Sequence, residues 1–234
     1  ANGLSSNCML KKLSLMENPN ITAVGWTALA RSLSNPNSSV EELNFSRNDI
    51  GSDGLHALAI CALANNTKLK HLDLSSISDH ISLFGWRTFF TLLQNSNFSS
   101  GPLEKLVLEG NNIGDEAVDL MMNVLANITS MTYLNLSCNL HITTAGWRPF
   151  FISLQNHNSA LENLYLGRNN IGDEVVATMV DALSNMRSLK ELHLSHNNLI
   201  TASGWRMISN LLQQPNSRLK TLYLTSNSSN NNLN

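Results

Sequence analysis

Residues 161–171 read LENLYLGRNNI, with leucines at the first, fourth and sixth positions, an asparagine at the ninth and an isoleucine at the eleventh. The same order of apolar and polar positions returns at 189–199 (LKELHLSHNNL) and 103–113 (LEKLVLEGNNI). Weaker copies start at Leu10, Val40, Leu69, Met131 and Leu219. About eight copies, roughly 28 to 34 residues apart, mark a stacked repeat architecture rather than one globular core. In the first half of each copy, as in LKKLSL at 10–15, leucines alternate with polar residues, the two-residue period of a half-buried strand. The second half places apolar residues at helical spacing, for example Val118, Met121, Met122 and Leu125, or Val176, Met179, Val180 and Leu183. Strands alternating with helices in units this short predict an α/β solenoid, with a parallel sheet on the inner face and helices on the outer one.

Between the halves stand Asn18, Asn48, Asn111, Asn139, Asn169, Asn197 and Asn227. Their amides are expected to bond the backbone of neighbouring turns, satisfying groups that a sharp bend would orphan. The third repeat has Ile77 there and one extra residue before its helix, which predicts an irregular bend over 76–82. Asp115 and Asp173, each followed by a glutamate, are expected to cap their helices, with Thr22, Thr143 and Thr201 near the same place in other repeats. Odd repeats carry a Gly-Trp pair (Gly25-Trp26, Gly85-Trp86, Gly146-Trp147, Gly204-Trp205), where even ones place Leu55, Val118 or Val176. The unit is therefore a pair of repeats, and the tryptophans are expected to pack between helix and sheet.

These residues resemble the ribonuclease-inhibitor-type leucine-rich repeat, over roughly residues 10–227. The NNIGDE segments at 111–116 and 169–174 are similar to repeats of NOD-like receptors. The resemblance implies a leucine-rich-repeat solenoid (horseshoe) with a concave parallel sheet and convex helices. It further implies a non-catalytic protein–protein interaction scaffold that binds a protein partner through the concave face. An architectural subunit docked along its edges or helical side, and a GTPase-activating or enzyme-inhibiting repeat protein, stay open as alternatives. Two features depart from the general pattern: there is no GxxxxGK[ST] nucleotide-binding segment, and the Gly-Trp alternation marks a narrower group. Residues 1–234 are expected to form a single domain of about eight repeats. Terminal repeats of a solenoid normally carry polar caps, so a fragment with incomplete terminal repeats is expected.

Charge and composition narrow the partners. A net charge of -2 offers no basic field for a phosphate backbone, so no nucleic acid is expected. No apolar run reaches the length of a membrane span. Cys8, Cys61 and Cys138 are an odd number at wide spacing without a CxxC, which predicts neither a disulfide framework nor a zinc site; Cys61 lies on an apolar helical face and is expected in the core. About eight N-x-S/T sequons occur, including Asn20, Asn37, Asn97 and Asn127. Glycans on Asn44 or Asn135 would block the inner face, which favours an unglycosylated, cytoplasmic setting. The asparagine-rich end, SNSSNNNLN, has little to pack and is expected to fray.

The outward strand positions form the candidate surface. Tyr133, Tyr165 and Tyr223, all the tyrosines of the chain, fall on it, and the repeat places His193, His196 and Arg168 close by. Tyrosine and arginine are enriched among residues that carry binding energy. No cofactor, metal or catalytic group is expected: His193 and His196 are three apart across a strand and turn, and no third ligand or triad partner is evident. Both stack ends could serve self-association.

Overall fold

A computed structural model describes residue 4 and residues 6–63, 66–95, 102–125, 128–155, 160–214 and 217–227. The sequons at Asn97 and Asn127, and most of the asparagine-rich end, lie outside the described residues. Eight three-residue strands, β1 (Lys12–Ser14), β2 (Glu42–Asn44), β3 (His71–Asp73), β4 (Lys105–Val107), β5 (Tyr133–Asn135), β6 (Asn163–Tyr165), β7 (Glu191–His193) and β8 (Thr221–Tyr223), form one parallel sheet in chain order. Among the described residues, seven α-helices cover its other face: α1 (Ala23–Ser32), α2 (Gly51–Ala57), α3 (Leu83–Asn95), α4 (Asp115–Leu125), α5 (Thr144–Gln155), α6 (Asp173–Asn185) and α7 (Ala202–Leu212). A π-helical stretch, Leu58–Leu63, continues α2.

The register has no slip. Leu13, Leu43, Leu72, Leu106, Leu134, Leu164, Leu192 and Leu222 lie side by side, one at the centre of each strand. All but the first and last are buried, because only the end strands lack a neighbour. Trp26, Trp86 and Trp147 are buried between helix and sheet, while Trp205 in the last helix is half-buried. Trp147 meets Phe150 edge-on at 5.5 Å between centroids and Phe151 at 6.1 Å, and Trp86 repeats this with Phe89 and Phe90. The indole Nε1 of each buried tryptophan has no hydrogen-bond partner among the described residues. Leaving a donor unsatisfied costs about 1–3 kcal/mol, so ring packing alone holds these side chains in place.

The asparagines form a ladder. Asn139 N–H donates to Asn169 Oδ1 (2.8 Å), Asn169 N–H to Asn197 Oδ1 (2.9 Å), and Asn197 N–H to Asn227 Oδ1 (2.5 Å). Each amide nitrogen turns the other way: Asn169 Nδ2 donates to Leu136 O of the preceding repeat, and Asn197 Nδ2 to Leu166 O. Ile77 breaks the side-chain run, and backbone fills in. Ile50 N–H donates to Ile77 O (2.7 Å), while Ile77 N–H rejoins the ladder at Asn111 Oδ1 (2.9 Å). The expected bend at 76–82 is the same pair of turns found in the first and fifth repeats, held apart by one more residue.

Two local expectations are corrected. Asp115 and Asp173 are not N-caps: each is the first residue of its own helix, and Gly172 precedes Asp173 as the cap. Their carboxylates reach the next repeat instead. Thr201 donates its N–H to Asp173 Oδ1 (2.8 Å) and its hydroxyl to Oδ2 (2.5 Å), and Thr143 does the same to Asp115 at 2.7 Å for both bonds. Thr201 in turn caps α7. A side chain on Gly146 or Gly204 would collide with Asp115 or Asp173 Oδ1, so here the glycine of the Gly-Trp pair is the space a neighbouring carboxylate needs. Cys61, expected in the core, is only half-buried and packs against the core's edge from the π-helical turn.

Candidate functional site

Parallel register lines up equivalent residues of successive repeats about 4.8 Å apart, so the sheet face is two rows of side chains. One row runs Lys12, Glu42, His71, Lys105, Tyr133, Asn163, Glu191, Thr221; the other runs Ser14, Asn44, Asp73, Val107, Asn135, Tyr165, His193, Tyr223. The two halves differ in chemistry.

The first half is a lattice of ion pairs. Lys12 meets Glu42 at 2.8 Å, and His71 lies 3.5 Å from Glu42 and 3.8 Å from Glu104. Along the edge, Glu41 is held between Lys70 (2.9 Å) and Lys11 (3.4 Å). The hydrogen bond from Lys70, then that from Lys11, lowers the Glu41 carboxyl below its ordinary range; Lys12 does the same to Glu42, and Glu41 raises Lys70. A shallow concavity of about 290 Å³ lies over this region, with Lys12, Glu42, His71 and Asp73 on its walls.

The second half is aromatic. Tyr165 stacks on His193 with 3.7 Å between centroids, His193 stacks on Tyr223 at 3.9 Å, and Tyr133 adjoins Tyr165 at 4.8 Å. Lys105 Nζ lies 4.4 Å over the Tyr133 ring. Glu191 Oε1 fixes the stack from below, accepting the Tyr165 hydroxyl at 2.5 Å and facing His193 Nε2 at 2.6 Å. These bonds, Tyr165's first, lower the Glu191 carboxyl. Burial, then the bond to Glu191, pushes the Tyr165 phenol well above its ordinary value, and burial raises Tyr133. Tyr223 closes the stack with 43 % of its surface exposed.

Beyond the strands, one equivalent position in every repeat adopts a left-handed backbone: Glu17, Arg47, Ser76, Gly110, Cys138, Arg168, His196 and Ser226, all with φ between 50° and 70°, and Gly51, Asn112 and Asn170 add a second such residue in three even repeats. At the shared position glycine serves once; elsewhere the strained conformation is held by bonds such as Arg168 N–H to Ser195 O and His196 N–H to Thr225 O (both 2.9 Å). A concavity of about 420 Å³ joins this turn row to the aromatic stack. Tyr133, Tyr165, Arg168, His193 and His196 all line it, and Tyr223 lies one ring further along the stack. The six candidate residues thus share one surface.

Sequence reasoning left three members of that surface out of the candidate set. Glu191 is two residues before His193 on the same strand, a spacing that puts both on one face. Lys105 precedes Tyr133 in its row. Glu109 is less accessible to sequence reading: it accepts from Asn135 Nδ2 (2.9 Å) and approaches Cys138 Sγ (3.9 Å) from a turn whose geometry the residue types do not announce. Burial, then Glu109, raises the Cys138 thiol above its ordinary value. Cys8, Cys61 and Cys138 form no disulfide, and among the described residues no three His, Cys, Asp or Glu side chains are grouped to hold a metal ion.

A leucine-rich-repeat family model matches residues 6–30, 37–59, 102–122 and 185–209. Mouse ribonuclease inhibitor is 30% identical over 227 residues, which cover 95% of this chain and 46% of that protein. The chain is a leucine-rich-repeat solenoid of the ribonuclease-inhibitor type. Other relatives of this repeat type include mouse NACHT, LRR and PYD domains-containing protein 14, 28% identical over 164 residues covering 70% of this chain and 16% of that protein. The solenoid therefore spans less than half the length of either relative. A chain in the crystal structure of the yeast Rad7 and Elc1 complex shares the fold, with a TM-score of 0.58, 18% identity, and coverage of 92% of this chain and 56% of that one. No helix among the described residues of the solenoid is long and apolar enough to cross a membrane.

Proposed function

We propose that this solenoid is a non-catalytic scaffold that binds a protein partner on its sheet face, chiefly through the aromatic half. The observation that carries this is the stack of Tyr133, Tyr165, His193 and Tyr223, already locked by Glu191 and exposed at its Tyr223 end. Rings held in place before binding lose little side-chain freedom on contact, and large preorganised aromatics contribute most to protein interfaces. The repeats and their relatives support the class: ribonuclease inhibitor is named for what it inhibits, and the yeast chain that shares the fold was solved in the complex of Rad7 and Elc1.

Photo-cross-linking tests it. A benzophenone side chain at Thr221 on the sheet face is expected to capture a discrete protein from the native source, and one at Arg87 on the helical side is not. Tyr165→Ala with Tyr223→Ala is expected to weaken binding of that protein by about tenfold or more. Capture from Arg87 alone would move the partner to the helices and defeat the proposal.

A further inference from the structure

The turn row pairs its own charges at one end and leaves one open at the other. Glu17 and Arg47 hold the left-handed positions of the first two repeats, and their side chains meet with Nη1 2.6 Å from Oε1. Arg168 holds the same position in the sixth repeat. Its neighbours in the row are Cys138 and His196, neither a carboxylate, and no ion pair to Arg168 exists among the described residues. The arginine is exposed at the lip of the aromatic concavity.

On the sheet face and edge of the second half, Glu162 and Glu191 are already engaged. Glu162 pairs with Lys190 at 2.5 Å, and Glu191 holds Tyr165 and His193. Glu109 also lines the concavity, but two repeats away on the Cys138 side, with Oε2 taken by Asn135 and Oε1 facing Cys138. What the fold supplies to Arg47 through Glu17 it does not supply to Arg168.

We propose that Arg168 binds a carboxylate supplied by the protein partner, an Asp or Glu side chain with an apolar neighbour that lies on the Tyr165–His193–Tyr223 stack. This rests on the sheet face being the binding surface. The guanidinium is a planar fork matched to a carboxylate, and Glu17 against Arg47 shows that a carboxylate fits beside an arginine on this row. An exposed ion pair alone adds little affinity. Here the aromatic stack beside Arg168 excludes water from one side of the pair, and a bound apolar residue would exclude it from another.

The test is selection from a displayed random peptide library on the intact chain, with the best peptide resynthesised for titration. Selected sequences are expected to share an Asp or Glu next to an aromatic or branched apolar residue. Arg168→Gln is expected to weaken the peptide about tenfold, and Arg47→Gln to leave it unchanged. Arg168→Glu should select lysine or arginine in place of the acid, a reversal that misfolding would not produce. Peptides that depend on Tyr165 but not on Arg168, or that carry no enriched acid, overturn the carboxylate site while leaving the sheet-face reading intact. Peptides indifferent to both residues, or no selected binder, overturn the two together.

Discussion

Glu191 ties two residues of the candidate surface to one atom, since a single carboxylate oxygen holds Tyr165 and faces His193. Its carboxyl is lowered from the ordinary value of 4.5 in the folded chain. A group lowered on folding favours the fold when ionised, so its contribution is present above that ordinary value and is lost as pH falls through the lower folded one. Wild type is expected to melt above Glu191→Gln at pH 7, and the gap to narrow from about pH 4.5 downward. Melting curves giving the same gap at pH 7 and pH 3 would exclude the charge as the cause. The tryptophans give a second contrast at this scale. Trp147→Ala removes a fully buried ring and is expected to cost about 3–5 kcal/mol in urea unfolding. Trp205→Ala should cost clearly less, because its ring is only half covered.

At the scale of elements, the joint between α6 and α7 is made by three residues from two repeats. Asp173 accepts two bonds from Thr201, Thr201 caps α7, and Gly204 leaves the carboxylate its room. Asp173→Ala is expected to cost about 1–2 kcal/mol. Gly204→Ala should cost more in the wild-type background than with Asp173→Ala present, because part of its clash is with that carboxylate, and a double-mutant cycle measures the difference. The same joint shows where sequence reading stops. Leucines at every second strand position were legible because burial on one face of a strand leaves its period in the residue types. Asp173 beside a helix start read as a local cap, since chain order cannot show that the next repeat's threonine lies closer. The left-handed row left no glycine signal either, as Glu17, Arg47, Cys138, Arg168 and His196 hold that conformation through bonds between repeats. The six candidate residues were found together because all but Arg168 and His196 follow the strand period, and those two follow the repeat.

Across the whole molecule, stability is the sum of what each repeat contributes and what it shares with its neighbours. Asn169→Ala removes both side-chain bonds to the preceding repeat, with Asn139 N–H and Leu136 O, while its backbone bond to Asn197 remains, and is expected to cost at least about 2 kcal/mol, whereas Asn18→Ala, in an exposed residue of the first described repeat, should cost less. Between the second and third repeats the ladder passes through the backbone of Ile77, and the helix of the second repeat ends in the π-helical turn. Native-state hydrogen exchange is expected to open β1 and β2 before β4 to β6. Uniform protection along the sheet would show that the substitution weakens nothing.

Parallel strands in strict chain order also determine how the molecule answers to a pull. Tension on the two ends acts across the sheet, along the hydrogen bonds, so neighbouring strands part bond by bond instead of sliding past each other together. Held between two anchors, the chain would act as a soft extensible tether, releasing about 100 Å with each repeat that peels away.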